Sequence, residues 1–293
     1  MDIEEFQATE ELQRLIWPGS GTEVVPMHLL LTISRNGGIV LGAWDDDKLV
    51  GFLFGFLGTD DASSKRVAAA RLKHASHQLG VHPNYRDRNI GSQLKLAQRD
   101  AVLKDGVRLA TWTYDPLETR NANLNLRKLG GIVRKYKRDY YGEMDDELNA
   151  DLPSDRFIVE WWLASNRVKE RVSGKRKPVT FEQYMEAELP VINSPTIDEK
   201  GFLIPSENVV ESVDNMLLLV QVPINFQQLK AEEPELARRW RLHSRSVFEG
   251  TIGAGFIITD YIHKPDFDGG PTGFYVLSYG DAMLQYDDSF SKN

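Results

Sequence analysis

LGVHPNYRDRNIGSQL, residues 79–94, passes from strand to polar turn to helix within one short stretch. Alternating character up to Val81 gives the end of a strand, and His82–Asn89 is a turn rich in Pro, Asn and Asp. A helix opens at Ile90, with Ile90, Leu94, Ala97 and Ala101 spaced to share one face and Gly106 placed as its C-terminal cap. A helix that starts just after an arginine-bearing turn is suited to an anion. Its first N–H groups lack internal partners, and the macrodipole places about half a positive charge there. Arg86 and Arg88 add cations, and Gly91 leaves the backbone open to close approach. Gly80, inside the strand, marks a bulge or the close approach of another group. The same residues also make a plain turn with two solvated arginines and a helix-packing glycine.

The pattern Val81-x-Pro83-x-Tyr85-Arg86-x-Arg88-x-Ile90-Gly91-Ser92-x-Leu94 resembles the first signature of the GCN5-related N-acetyltransferase (GNAT) superfamily. That signature reads Arg/Gln-x-x-Gly-x-Gly/Ala at the start of the central helix. Here Asn89 replaces the first glycine, a mild departure because asparagine tolerates left-handed backbone. The second signature, a short helix ending in Lys-Leu-Gly, is matched by Asn121–Gly130. The resemblance covers roughly residues 1–142, extending toward Leu163, and none of the rest.

The resemblance implies an α/β fold with a GNAT-like mixed central sheet flanked by helices; the residues beyond it, again β–α–β in rhythm, read as a second, smaller α+β domain. The expected domains are 1–163, binding acyl-CoA, and 164–293, of unassigned role. Two central strands, near Ala75–Val81 and Val107–Tyr114, would splay apart and admit the pantetheine of acetyl-CoA or another acyl-CoA. The co-substrate would contact Leu79, Gly80, Val81, Arg86, Asp87, Arg88, Asn89, Ile90, Gly91 and Ser92, with Asn121 and Asn125 from the second signature. The Leu79 N–H would face the thioester oxygen. The implied reaction moves an acetyl or short acyl group to an amine of a small molecule or protein.

The side chains for proton transfer are less plainly written. The position from which family members often supply a tyrosine acid is Leu126, which cannot donate, and Lys73–Val81 holds no carboxylate base. His77 is the candidate base and Tyr114 the candidate acid; an unperturbed imidazole titrates near 6.5. His74 and His77, three apart on a strand, face opposite sides. A non-catalytic acyl-CoA binder that kept the cradle and lost the acid is the alternative from another functional class.

The remaining sequence bounds the problem. The 293 residues are 41% hydrophobic and 27% charged, ordinary globular composition for about two domains. A net charge of −8 argues against a bulk basic surface for nucleic acid or anionic membrane. The excess acidity lies beyond residue 150, since residues 1–150 carry 20 basic and 21 acidic side chains. With no cysteine, thiolate chemistry and disulfides are excluded, and the six histidines show no metal-ligand spacing, so no metal is expected. The acidic N-terminus and the lack of an apolar run of spanning length lead to a cytoplasmic expectation.

Outward from the motif, helices are expected at Glu4–Trp17 and from Pro26 to Asn36, with strands at Ile39–Trp44, Lys48–Leu57, Ala70–Val81, Val107–Tyr114 and Ile132–Tyr141. Gly142–Pro153 reads as a linker, Arg156–Leu163 as a segment that either closes the first domain or opens the second, Arg167–Pro178 as a basic loop and Ser194–Glu207 as irregular. Met216–Val222, Gly255–Ile262 and Gly273–Tyr279 read as strands around a helix from Pro234 to about Phe248.

Overall fold

The computed structural model describes residues 2–18, 24–60, 67, 71–142, 152–175, 177–209, 215–267 and 270–280. Two compact units divide the chain: residues 1–112 with 162–164, and residues 113–161 with 165–293.

Unit 1 begins with α1 (Ile3–Ile16), whose start is fixed by a capping box: Asp2 accepts from the Glu5 N–H and Glu5 from the Asp2 N–H. Helix α2 (Met27–Arg35) follows Pro26 and ends at Asn36, with Gly37 in the left-handed region. Strands β1 (Ile39–Asp45) and β2 (Lys48–Thr59) form the expected hairpin, and β2 pairs antiparallel with β3 (Leu72–Val81). After the turn come α3 (Ile90–Lys104) and β4 (Leu109–Tyr114), which lies parallel to β3. The result is a mixed sheet flanked by helices. A Cβ on Gly51 would meet Ile90 and Leu94 of α3, and one on Gly80, next along β3 from the Gly51 partner Val81, would meet Ile16 of α1. Because alternate residues face opposite sides, α1 and α3 cover opposite faces. Phe6, Leu12, Leu30, Leu49, Phe52 and Phe54 form the core on the α1–α2 side, where fully burying each large side chain is worth about 1.5–3 kcal/mol.

The face of α3 differs from the periodicity reading. Its buried residues are Ser92, Leu94, Lys95, Gln98 and Val102, while Ala97 is exposed. The helix is rotated because Lys95 and Gln98 satisfy one another inside the protein, and an apolar count cannot register such a polar core.

In unit 2 the short α4 (Thr119–Ala122) runs into a π-helical turn, Asn123–Lys128, where an ordinary helix was expected. Strands β5 (Ile132–Lys137) and β6 (Arg156–Trp162) are antiparallel. The segment read as a basic loop instead contains α5 (Asn166–Val172), nucleated by Ser165, whose hydroxyl accepts from the Val168 N–H. Helix α6 (Phe181–Glu186), the two-residue strands β7 (Thr196–Ile197) and β8 (Leu203–Ile204), and β9 (Leu217–Pro223) follow. Then come α7 (Phe226–Glu232), α8 (Pro234–Gly253), β10 (Phe256–Lys264) and β11 (Thr272–Tyr279). The sheet order in this unit is β6-β5-β10-β11-β9. Long α8 buries Trp240, Val247 and Phe248. It also sends Arg245 to the fully buried carboxylate of Asp155 at 2.7 and 2.8 Å. The expected linker lies largely outside the described residues. Among the described residues, no helix is long and apolar enough to cross a membrane, and no acidic, histidine or cysteine group could hold a metal ion.

Candidate functional site

Strands β3 and β4 pair at only two positions, His74 with Ala110 and Ala75 with Thr111. Beyond them, among the described residues, β3 has no partner strand on that side. On its other side β3 stays paired with β2 as far as Val81. The His82 N–H donates to the Val50 carbonyl at 2.9 Å. In an antiparallel ladder the bonded pairs alternate, so Gly80 also points its backbone groups at β2, while Leu79 and Val81 point theirs into the fork. Leu79 therefore turns its N–H away from β2, toward the side where β4 has parted.

The register slips between Phe54 and Gly55: Phe54 opposes Gln78 and Gly55 opposes Ser76, so His77 is an extra residue. This bulge reverses the strand's facing. His74 and Ser76 lie on the α3 side before it, and Val81, paired with Gly51, lies on that side after it. Gly80 is not itself the bulge. Its glycine is required because a Cβ would stand 2.6 Å from the Phe52 ring and 2.7 Å from Ile16.

The loop after β3 is built from local bonds. His82 Nδ1 accepts from the Asn84 N–H at 3.2 Å, stabilising a single 3-10 turn at Pro83–Tyr85. The Tyr85 hydroxyl donates to Asp45 at 2.9 Å, and the Arg88 guanidinium lies 4.8 Å from the Tyr85 ring centre. Asp87 and Asn89 both adopt left-handed backbone, φ 64° in each case, so Asn89 supplies the conformation that a glycine would have supplied. Asn89 makes no side-chain cap to α3. The first-turn N–H groups of Ile90, Gly91 and Ser92 have no intrahelical acceptor. Arg86 and Arg88 are exposed beside them. Burial first, then the nearby charges of Lys48 and Arg86, push the His82 imidazole below its ordinary value.

The structure separates the two strand histidines. His77 is exposed, with its ring against Phe54 and Phe56 at 5.2 and 6.2 Å, and desolvation holds its imidazole below the usual value. His74 is 2% exposed, pushed down to about 4 chiefly by burial, and its Nε2 is 3.0 Å from the Gln98 side-chain nitrogen.

The other expected residues belong to unit 2. Tyr114 is buried against Phe157, and burial drives its phenol well above the ordinary range. Asn121 is exposed, while Asn125 is buried with its carbonyl accepting from the Gly131 N–H at 2.9 Å. Leu126 is fully buried. Sequence reasoning missed Lys95, a buried amine 2.8 Å from the Ser76 hydroxyl; its only signal was a lysine beside the helix face read as apolar.

Residues 6–130 match the family model described as the acetyltransferase (GNAT) family. No curated protein matches the chain. Among solved structures, an N-acetyltransferase from Staphylococcus aureus is 16% identical, covering 56% of this chain and 95% of its own, with a TM-score of 0.43. The paia N-acetyltransferase from Thermoplasma acidophilum, in complex with coenzyme A, is 21% identical, with coverages of 55% and 94% and a TM-score of 0.37. The protein yncA from Salmonella typhimurium, with its cofactor acetyl-CoA, is 14% identical, with coverages of 57% and 92% and a TM-score of 0.44. The N-terminal half of the chain, over residues 6–130, carries a domain of the acetyltransferase (GNAT) family.

Proposed function

We propose that residues 1–163 bind acyl-CoA and transfer an acetyl or other short acyl group directly to an amine of a small molecule or protein. The observation that carries this reading is the open edge of β3 at Leu79 and Val81, which leads through a cationic turn into an uncapped helix start. The pantetheine amides bond to the strand edge. The pyrophosphate takes the Ile90–Ser92 N–H groups, with Arg86 and Arg88 supplying charge. The Leu79 N–H donates to the thioester oxygen, and that bond strengthens as the oxygen becomes an oxyanion.

His77, uncharged at neutral pH, takes the proton of the attacking amine. A C–N bond forms, the C–S bond breaks and CoA leaves as thiolate. Because Tyr114 is buried and only weakly acidic, the thiolate takes its proton from water in this reading. Positioning along the strand edge supplies much of the rate.

One observation favours a second reading, a non-catalytic acyl-CoA binder: Leu126, fully buried and apolar, occupies the position from which the family often supplies its acid. An amine panel scored for free CoA release decides between them. Release that depends on one amine class supports transfer. Tight CoA binding with no release from any amine supports the binder.

A further inference from the structure

Lys95 lies where β3 and β4 begin to part. The last paired residues are Ala75 and Thr111, and the next residue on each strand is Ser76 or Trp112. Lys95 touches both: its Nζ is 2.8 Å from Ser76 Oγ and 3.5 Å from the centre of the Trp112 ring. Gln98 Oε1 is a third neighbour at 3.2 Å. The lysine is 3% exposed, and no carboxylate pairs with it among the described residues. A buried cation without a counter-charge is costly, and such groups shed the proton instead. Burial indeed drives the Lys95 amine well below its ordinary value.

A count of protons leads to the same state. Ser76 Oγ also receives the Gln98 side-chain N–H at 3.0 Å, and that nitrogen lies 3.0 Å from His74 Nε2. If Lys95 were an ammonium, both neighbours of Ser76 would be donors, leaving the hydroxyl proton no acceptor in the network. With a neutral amine, the Ser76 O–H donates to Nζ, and the two amine hydrogens go to Gln98 Oε1 and the Trp112 ring. The Ser76 hydroxyl, the amine and the Gln98 amide are then all used.

Among the described residues, the surroundings hold no compensating charge. On β3 the titratable neighbour is His74, itself held neutral at physiological pH, with His77 on the opposite face and Lys73 beside it. β4 contributes Trp112 and no charged residue. On α3, Arg99 turns away to the Leu163 carbonyl at 2.9 Å, and Asp100 is exposed. On β1 and β2 the charged residues are Asp45 and Lys48, and both lie at Tyr85.

We propose that Lys95 is a positioning residue for the cleft: as an uncharged amine it ties Ser76 to Trp112 and so sets where β3 and β4 part. Protonation releases the tie, displaces the Leu79–Val81 edge and weakens whatever is bound along it. Only the ligand readout below rests on the acyl-CoA reading.

The test uses the full chain with lysine labelled at Cε, followed by NMR, with Lys95 assigned by its loss in Lys95→Met. The expected result is one lysine resonance that is neutral at about pH 8 and titrates far below the others. The amides of Ser76, Leu79 and Val81 should shift along the same curve, and Lys95→Met should abolish that shift. In parallel, wild-type affinity for acetyl-CoA should fall about fivefold or more as Lys95 protonates, a step absent from Lys95→Met. A Lys95 resonance charged at about pH 8 overturns the proposal, as does an unchanged edge titration in the methionine variant. Should Lys95→Met not fold, assignment by Lys95→Arg lets the wild-type titration decide alone. Absence of acetyl-CoA binding in every form refutes the acyl-CoA reading, while the ligand-free resonances still judge the tie.

Discussion

The His82 N–H bonds the Val50 carbonyl at 2.9 Å, and this contact fixes which backbone groups of β3 are spoken for. Residues in step with His82 serve β2; Leu79 and Val81, out of step, serve the fork. An insertion of one residue between Leu79 and His82 would exchange the two sets.

Gly91 stands in the first turn of α3, where the proposed pyrophosphate meets backbone N–H groups. Gly91→Val should weaken CoA binding by about tenfold or more, a loss of about 1.4 kcal/mol. Valine is slightly better than glycine inside a helix, so circular dichroism should show the fold retained. Wild-type affinity in a folded Gly91→Val protein would remove the cradle from the account.

Asn89 carries the left-handed conformation of the helix start. Asn89→Gly should bind CoA as well as wild type or better and melt within a few degrees of it. Asn89→Val should be destabilised by about 1–2 kcal/mol, since a β-branched residue resists this conformation. Equal melting of the valine and glycine variants would show that the loop rearranges.

Desolvation lowers the His77 pKa, which sets the sign of a pH profile. A base with a depressed pKa is available above that value, so kcat/KM should rise with pH, level off below about 6.5 and stay flat through neutrality. His77→Gln should lower kcat/KM by about 100-fold or more and remove the acid limb. Retention of the limb in this variant would place the base elsewhere.

Asp155 gives a stability prediction for unit 2. Burial alone would raise its pKa, but bonds from Arg245, Tyr136 and the Asp139 N–H hold the carboxyl below the usual range. A depressed carboxylate contributes stability above its unfolded pKa of about 3.9, and that contribution is lost as pH falls through the lower folded value. Asp155→Ala should cost about 3–5 kcal/mol at neutral pH, because it strands a mostly buried arginine. It should also flatten the acid side of the stability curve in denaturant titrations.

The strand–turn–helix from Leu79 to Leu94 was legible because each part has a local cause: a polar turn, a residue able to adopt left-handed backbone, and a helix without a side-chain cap. The fork was legible only through the family resemblance, since strand pairing that stops after two residues leaves no local mark. The bulge at His77 left none either, and Gly80 pointed to it for a different reason, the packing of Phe52 and Ile16. Lys95 and Gln98 escaped because a buried polar pair mimics a solvated face in any apolar count. Helix α5 escaped because its charged residues outnumber its apolar ones, and its stability comes from Ser165 and from Arg167 and Arg171 bonded to backbone carbonyls and Asp260.

The most direct test of the central claim is calorimetric titration of the full chain with acetyl-CoA and, separately, with NAD. The strand edge and the helix start together should give a Kd for acetyl-CoA between about 1 μM and about 1 mM, with NAD at least about tenfold weaker. Equal binding of NAD, or no heat with acetyl-CoA at about 1 mM, would contradict the assignment of the β3 edge and the α3 start to acyl-CoA.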